Sequence, residues 1–599
     1  MQARPTSWLT RHPLPWLTLL ALVVLGLGLG FRHPWPADEP RFALIAQEML
    51  TTHHWLLPHR AGELYPDKPP VFMWSIALGL WVLKAFSVPG AERIAFLLPS
   101  LLGGVGTLAL MTDLARRFYG PRIAWLAGLT LLSTVLFTLQ AKTAQIDMWV
   151  TFFVTVGLYG LIRHILLGPD SRWWHLGFFA MGVGILTKGV GFLPLLMLPV
   201  WMIFLKTGSG HRTLTPLSLK LLGTGLLALL APLLMWGIPM ILYTSLGHAE
   251  PGLAAYRDNI LFKQTGQRYA DSWHHLEPWY YYLVSVLPWA WLPLTLALPW
   301  TVPNAWRRLK RRDPRQWLPL GFVILMVIFF SLSPGKRGVY MTPATAMFVL
   351  AFAPALPALL RRPRLNQLVW GLVLVPGLLI GLIGIAGLSG LPVMARLEAE
   401  HGFAPWGWWT ALGLLSVLIA HLIPSRRGLV AFGLWSVMFW GLWSTWGYKV
   451  MDPARSTQAL MKQVVSMTSP DTTLALPDFD ESMVLQARQP VVQFGYDTPE
   501  PDQLLALVAW LDQAPETRAA LMNEKALDHL ECPAPVTATR VPIADRHQWW
   551  LVRAVDVAGC RADATAAPVL TAPTTLPPTG DKATPPGPPA TDEADTTPN

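Results

Sequence analysis

The chain has 599 residues, of which 52% are hydrophobic and only 14% charged, against about 25% charged in an ordinary soluble domain. That balance excludes a soluble globular protein, and thirty tryptophans agree with it, because Trp gathers where lipid meets water. A net charge of +10 would suit a nucleic-acid partner, but the basic residues fall in short clusters between apolar runs. That pattern reports membrane topology and not a phosphate-binding stripe, so no nucleic acid is expected.

A spanning helix needs roughly 20 apolar residues. The first run, 15–31, follows Arg4 and Arg11 and has no small-residue cleavage site before Arg32, so it is expected to remain as an uncleaved span. Residues 32–93 then form a large polar segment. Within it Phe42, Ile45, Ala46, Met49 and Leu50 repeat at helical spacing, predicting a helix that lies in the interface. Residues 71–86 are apolar but short and interrupted by Lys84, which suits a re-entrant or interfacial helix. Further spans are predicted at 94–115, 123–139, 148–166, 173–187, 189–205, 221–243, 279–301, 317–332, 343–360, 367–390, 408–423 and 429–447, giving thirteen.

Arg116, Arg117, Arg163, Lys206, Arg212, Arg307, Arg308, Arg315, Arg361, Arg362, Arg426 and Arg427 all fall in even-numbered loops. The excess of Lys and Arg on one side predicts a cytoplasmic N-terminus. An odd number of spans then puts the C-terminus outside, which in a bacterial inner membrane is the periplasm. The larger polar segments, 32–93 and 244–278, lie on that outer side with the short loop 333–342.

The transmembrane part is thus expected over 1–448. Residues 449–560 read as a small periplasmic α/β domain, with strands at 472–477, 490–496 and 548–555 and a helix at 504–511. Residues 561–599 are rich in Pro, Thr and Ala and read as a disordered tail. Cys532 and Cys560 form no Cys-x-x-Cys pair; they suit either one disulfide in an oxidising compartment or two inert thiols.

Charges that fall where an outer loop meets the bilayer have two readings. Asp38 is either a helix cap, with Glu39 complementing the helix dipole, or a functional carboxylate. Lys68 either snorkels to the interface or binds an anion, and Asp147 either caps its span or works in a site. The order in which these groups occur is informative. It runs Asp38-Glu39-x-Arg41-Phe-Ala-x-Ile-Ala-x-Glu48-Met, Trp55-Leu-Leu-Pro, Tyr65-Pro-Asp67-Lys68-Pro-Pro and Ile146-Asp147-Met. It continues with Leu186-Thr-Lys188-Gly189, Gln267-Arg268-Tyr269, Pro278-Trp279-Tyr280-Tyr281 and Lys336-Arg337-x-x-Tyr340. This series, spread over roughly residues 15–450, resembles the bacterial branch of the dolichyl-phosphate-mannose protein mannosyltransferase superfamily. Within it, the series is most similar to the lipid A aminoarabinose transferases.

The resemblance implies a GT-C-type helical membrane fold. It implies an enzyme that moves a sugar from a polyprenyl-phosphate donor to an acceptor on the periplasmic face, foremost 4-amino-4-deoxy-L-arabinose to a lipid A phosphate. The expected partners are the lipid-linked donor, lipid A or another periplasmic acceptor, and membrane lipids. By motif position Asp38 and Asp147 correspond to the family's carboxylates. Arg41, Lys68, Arg268, Lys336 or Arg337, and Tyr340 correspond to the donor-phosphate site, with Glu39, Tyr65, Asp67, Lys188, His274 and His275 nearby. No cofactor is certain; a divalent metal is a candidate at Asp67 with His274 or His275, although the family more often has Glu where this chain has the shorter Asp67.

The residue types suit that chemistry. A leaving lipid phosphate gains negative charge, which fixed Lys and Arg side chains stabilise best away from water. A carboxylate opposite them can accept a proton from a hydroxyl acceptor. The alternatives are transfer of another lipid-linked sugar to a protein or glycan, a transporter, and a receptor or scaffold. A transporter would gather its charges at the midplane and often show inverted repeats, and this sequence does neither.

Overall fold

The computed structural model describes residues 11–206, 215, 218–246, 252–262, 275–533, 535–542 and 548–573. The chain divides into two compact units that part after Thr457. The first is helical. Among the described residues seven helices are long and apolar enough to cross a membrane: Ala91–Tyr119, Ile146–Leu167, Leu219–Ser245, Pro314–Leu332, Gly338–Leu359, Pro363–Leu388 and Ser425–Arg455. Two bent pairs, Pro121–Ser133 with Val135–Ala141 and Pro392–His401 with Trp406–Leu422, raise the count to nine if each is one span.

Of the remaining predicted spans, 173–187 is the unbroken helix Ser171–Lys188; the others are shorter or broken, and the sequence shows why. The first helix is Pro13–Gly26. It ends in the glycine-rich stretch Leu27 to Gly30, where Gly28 has φ +90° and sits against the Ser444 carbonyl, 2.2 Å from where a Cβ would lie. The run 189–205 begins with Gly189 in the left-handed region and becomes a 3₁₀ turn, Leu193–Leu196, followed by Met197–Lys206. The predicted span 279–301 is not one helix. It breaks into Tyr282–Val286, Leu287–Ala290 and Leu298–Lys310, because Pro288, Pro293 and Pro299 each remove a backbone donor.

The amphipathic pattern after Asp38 does form a helix, Glu39–Thr52, but Phe42 through Met49 are all buried. It is therefore not a surface helix with one wet face. Val71–Ala85 packs against it, with Phe72 edge-on to Phe42 at a ring separation of 5.1 Å. A tight hairpin, β1 (His59–Arg60) and β2 (Glu63–Leu64), lies between the two helices in sequence. Its turn residues Ala61 and Gly62 both have positive φ, as the favoured two-residue hairpin turns require.

Helices in lipid gain little from hydrophobic exclusion and associate through close packing of small residues. Pro363–Leu388 and Trp406–Leu422 show this: a Cβ on Gly413 would come within 2.3 Å of the Gly381 Cα. Gly338–Leu359 is the most enclosed of the long helices, and its residues Ala344 to Ala353 are buried throughout.

The second unit carries a six-stranded sheet of order β6-β7-β5-β3-β4-β8. Its strands are β3 (Thr473–Ala475), β4 (Val491–Gln493), β5 (Arg518–Asn523), β6 (Thr539–Arg540), β7 (Trp549–Val552) and β8 (Leu570–Ala572). β3 is parallel to both β4 and β5, and the crossover from β4 to β5 runs through the helix Glu500–Gln513. Its Leu504, Leu507, Val508 and Leu511 pack into the core with Val492, Ala520 and Val552. Cys532 and Cys560 are joined in a disulfide. β8 comes from the segment that composition assigns to the tail: its pairing with β4 extends the ordered sheet to Ala572.

The glycine contact yields a test. Gly413→Val forces the 363–388 and 406–422 helices apart, a cost on the order of the 1–3 kcal/mol typical of overpacked cores. The purified variant is expected to melt several degrees below the parent in detergent, and an unchanged melting temperature would show that the close approach carries no weight.

Candidate active site

The segment between the first helix and Asp38 is built around Arg32, which is 1% exposed. Its Nη1 and Nη2 donate to the two oxygens of Glu39, the latter at 2.8 Å. Its guanidinium lies over the rings of Trp35 (4.7 Å), Tyr448 (5.0 Å) and Phe96 (5.2 Å). Burial opposes the charge on Arg32, but Glu39 outweighs it and raises the pKa. Glu39 also accepts the backbone N–H of Trp35 at 2.9 Å and that of Ala144 at 2.8 Å. One carboxylate therefore ties the start of the Glu39–Thr52 helix to the loop just before Asp147. Beside it Lys142 donates to the Leu25 and Leu27 carbonyls at 3.3 and 3.0 Å. Burial, then the charge of Arg32, brings its ammonium down to about 7.

The two sequence-predicted carboxylates sit next to these anchors. Asp38 precedes the helix but makes no side-chain capping bond. Its Oδ2 instead accepts from Arg337 Nη2 at 3.3 Å, and Arg41 lies 3.9 Å from its Oδ1. Asp147 is in the first turn of Ile146–Leu167, whose N-cap is Gln145; its carboxylate accepts from Lys188 Nζ. Lys188 also lies 4.7 Å over the Tyr340 ring. Arg337 joins the two pairs. Burial works against its charge, yet Asp38, Asp147 and Tyr340 together raise its pKa. Asp38, Arg337, Asp147 and Lys188, with the Tyr340 ring beside them, thus form one linked group drawn from four separate stretches of sequence.

The other predicted residues divide. Tyr65 is 2% exposed, with its ring 5.5 Å from the Arg60 guanidinium. Burial first, then Asp67, raises its pKa against the pull of Arg41 and Arg60, so its phenol stays protonated and Arg41 hydrogen-bonds to it. Arg41 therefore stands between Asp38 and Tyr65. Lys68 is half-buried and donates to the Asp67 carbonyl at 2.8 Å. Lys336 turns away from this group: it is 3% exposed, and its Nζ donates to the Glu277 carbonyl at 2.7 Å. The motif offers Lys336 or Arg337, and Arg337 is the one that reaches Asp38. The backbone carbonyl of His275 accepts from the Lys336 N–H at 2.9 Å.

Arg268 and His274 lie outside the described residues. Among the described residues no three His, Cys, Asp or Glu side chains gather as a metal site would require, so the candidate at Asp67 is not assembled from these residues alone. Sequence reasoning did not single out Arg32, His33 or Asp452. Arg32 reads there as the charged flank of an apolar run, and Asp452 as the start of a soluble segment.

Carboxylates paired with Lys and Arg thus sit at loop-proximal helix ends in a bundle of helices long and apolar enough to cross a membrane. The crystal structure of ArnT from Cupriavidus metallidurans bound to undecaprenyl phosphate matches 92% of this chain and 98% of its own, with a TM-score of 0.67 at 20% identity. Residues 67–236 match the dolichyl-phosphate-mannose-protein mannosyltransferase family. The undecaprenyl phosphate-alpha-4-amino-4-deoxy-L-arabinose arabinosyl transferase 2 of Pseudomonas fluorescens is 31% identical over 453 residues, 72% of each chain. The corresponding transferase of Pseudomonas aeruginosa is 31% identical over 424 residues, 66% of this chain and 70% of its own. The chain belongs to the undecaprenyl phosphate-aminoarabinose arabinosyl transferase family.

The Arg32–Glu39 pair generates a stability prediction. Removing one partner of a buried pair leaves the other charge uncompensated, at a cost of about 3–5 kcal/mol. Glu39→Gln is expected to fall by at least that class of loss in thermal unfolding, and a variant as stable as the parent would show that the pair is dispensable.

Proposed function

We propose that this enzyme transfers 4-amino-4-deoxy-L-arabinose from undecaprenyl phosphate to a phosphate of lipid A at the outer face of a bacterial inner membrane. The observation that carries the site assignment is the convergence of two carboxylates, Asp38 and Asp147, with Arg337, Lys188 and Tyr340 beside the Arg41–Tyr65 pair. In the reaction an acceptor oxygen forms a bond to the anomeric carbon as the bond from that carbon to the donor phosphate oxygen breaks. The electron pair leaves on the lipid phosphate. Arg41 and Lys68, with Arg268 and Tyr340, hold that phosphate and stabilise its growing charge. An acceptor phosphate is already ionised and needs no strong base, which leaves Asp38 and Asp147 to orient the sugar amine or the acceptor.

Charge balance supports the reading. Each carboxylate is paired with a cation, Asp38 with Arg337 and Asp147 with Lys188. An arriving phosphate competes for those cations and frees the carboxylates to meet the amine. Thirteen spans, a cytoplasmic N-terminus and a periplasmic second unit complete the proposed arrangement, supported by the alternation of basic loops.

Asp38→Asn keeps the shape of the side chain and removes its charge, and as a helix cap it would serve nearly as well. The variant is expected to fold normally and to lose about 100-fold in kcat, as for a lost orienting group, when aminoarabinose addition to lipid A is followed by mass spectrometry. Normal transfer would remove Asp38 from the site. Lys68→Ala is expected to weaken donor binding by about 10–100-fold, the loss of one charge-assisted hydrogen bond of ~1.5–3 kcal/mol. Topology is read by labelling: Ser469→Cys, at an exposed position of the second unit, is expected to react with a membrane-impermeant maleimide in spheroplasts. Reaction only after lysis would reverse the orientation.

A further inference from the structure

The backbone leading into Asp38 is held by two carboxylates from opposite directions. Glu39 holds it from the helix side, through Arg32 and the Trp35 N–H. The second is Asp452, in the last long helix, Ser425–Arg455. Its Oδ1 accepts the His33 backbone N–H at 2.8 Å and the Trp35 indole N–H at 2.9 Å. Its Oδ2 lies 2.7 Å from His33 Nδ1. A carboxylate only accepts, so Nδ1 carries the proton in this pair. Two neighbours from the same helix complete the grip: the Arg455 guanidinium lies 5.5 Å from the Trp35 ring, and Tyr448 stands edge-on to Trp35 at 5.4 Å.

Only Pro36 and Ala37, both exposed, separate this double anchor from Asp38. Asp38 has no capping bond to its own helix and is itself partly exposed, so its place depends on the backbone that enters it as well as on Arg337. We propose that Asp452 is a positioning residue for the transfer reaction: by gripping His33 and Trp35, the last long helix fixes the segment 32–38 and so the place of the Asp38 carboxylate. The proposal rests on the reading of Asp38 as a group that acts at the sugar or acceptor. An error of about 1 Å in such a group is enough to slow a reaction about 100-fold. Lys68 rests on the Asp67 carbonyl and Arg41 is carried by the Glu39–Thr52 helix, with Tyr65 as well as Asp38 beside it, so donor binding changes less than the transfer step.

The test uses the full-length protein in nanodiscs with lipid-linked aminoarabinose donor and lipid A acceptor. Asp452→Ala removes the acceptors of both His33 donors and of the Trp35 indole. It is expected to lower kcat by about ten-fold or more while the donor KM stays within about two-fold, with Asp452→Glu recovering part of the loss. Hydrogen exchange of the peptide spanning 32–38 is expected to quicken, with the 146–167 helix unchanged. A kcat within about two-fold of the parent overturns the proposal. So does a fall in kcat accompanied by faster exchange throughout the fold, which marks a general loss of stability. Asp38→Asn, run alongside, separates the two ideas. If it is inactive the Asp38 reading stands whatever Asp452 does. If it is active that reading fails, and with it the assignment of Asp452 to Asp38, even where the 32–38 segment loosens.

Discussion

The buried bond between Arg32 and Glu39 is the constraint on which the rest of the site depends. A charge pair taken from water gains stability only when its remaining hydrogen-bonding groups are met. Here Glu39 takes up the N–H groups of Trp35 and Ala144 as well as the guanidinium, and aromatic faces surround Arg32. The consequence is geometric. Glu39 is the neighbour of Asp38, and Ala144 is three residues before Asp147, so a single side chain sets the separation of the two segments that carry the candidate catalytic carboxylates.

From that frame the charges fall into matched pairs. Asp38 meets Arg337 and Asp147 meets Lys188, so none of these four groups is an isolated charge. Such pairing makes these charges tolerable in a low-dielectric setting. It also makes the site responsive, since any ligand that brings a phosphate and an amine together offers each half of a pair a new partner.

Much of this was legible in the sequence where short-range order or composition carried it. The apolar runs marked most of the helices, and the ordered motifs marked Asp38, Asp147, Lys188 and Tyr340, which the fold brings together. Three kinds of feature were not legible. Proline-rich stretches such as 279–301 are apolar enough to read as spans, yet they lack the donors for a continuous helix. The pattern of Phe42, Ile45 and Met49 gives the helix but cannot say that other elements cover its far side. Long-range partners leave no local trace: Asp452 meets His33 across 419 positions, and periodicity does not reach that far. The choice between Lys336 and Arg337 is of the same kind, because adjacent residues in a loop can face opposite ways.

The second unit ends with a short strand whose position has a practical side. β8 covers the outer edge of β4, pairing Val491, Val492 and Gln493 with Ala572, Thr571 and Leu570. It is flanked by Pro568 and Pro573, residues that cannot extend a ladder and so blunt an edge. A chain cut back to the end of the disulfide at Cys560 would lose this cover and leave the N–H and C=O groups of the β4 edge unpaired and open to another molecule. The Pro-, Thr- and Ala-rich stretch thus begins with a seal against self-association, and a shortened version of the enzyme should keep it through Pro573.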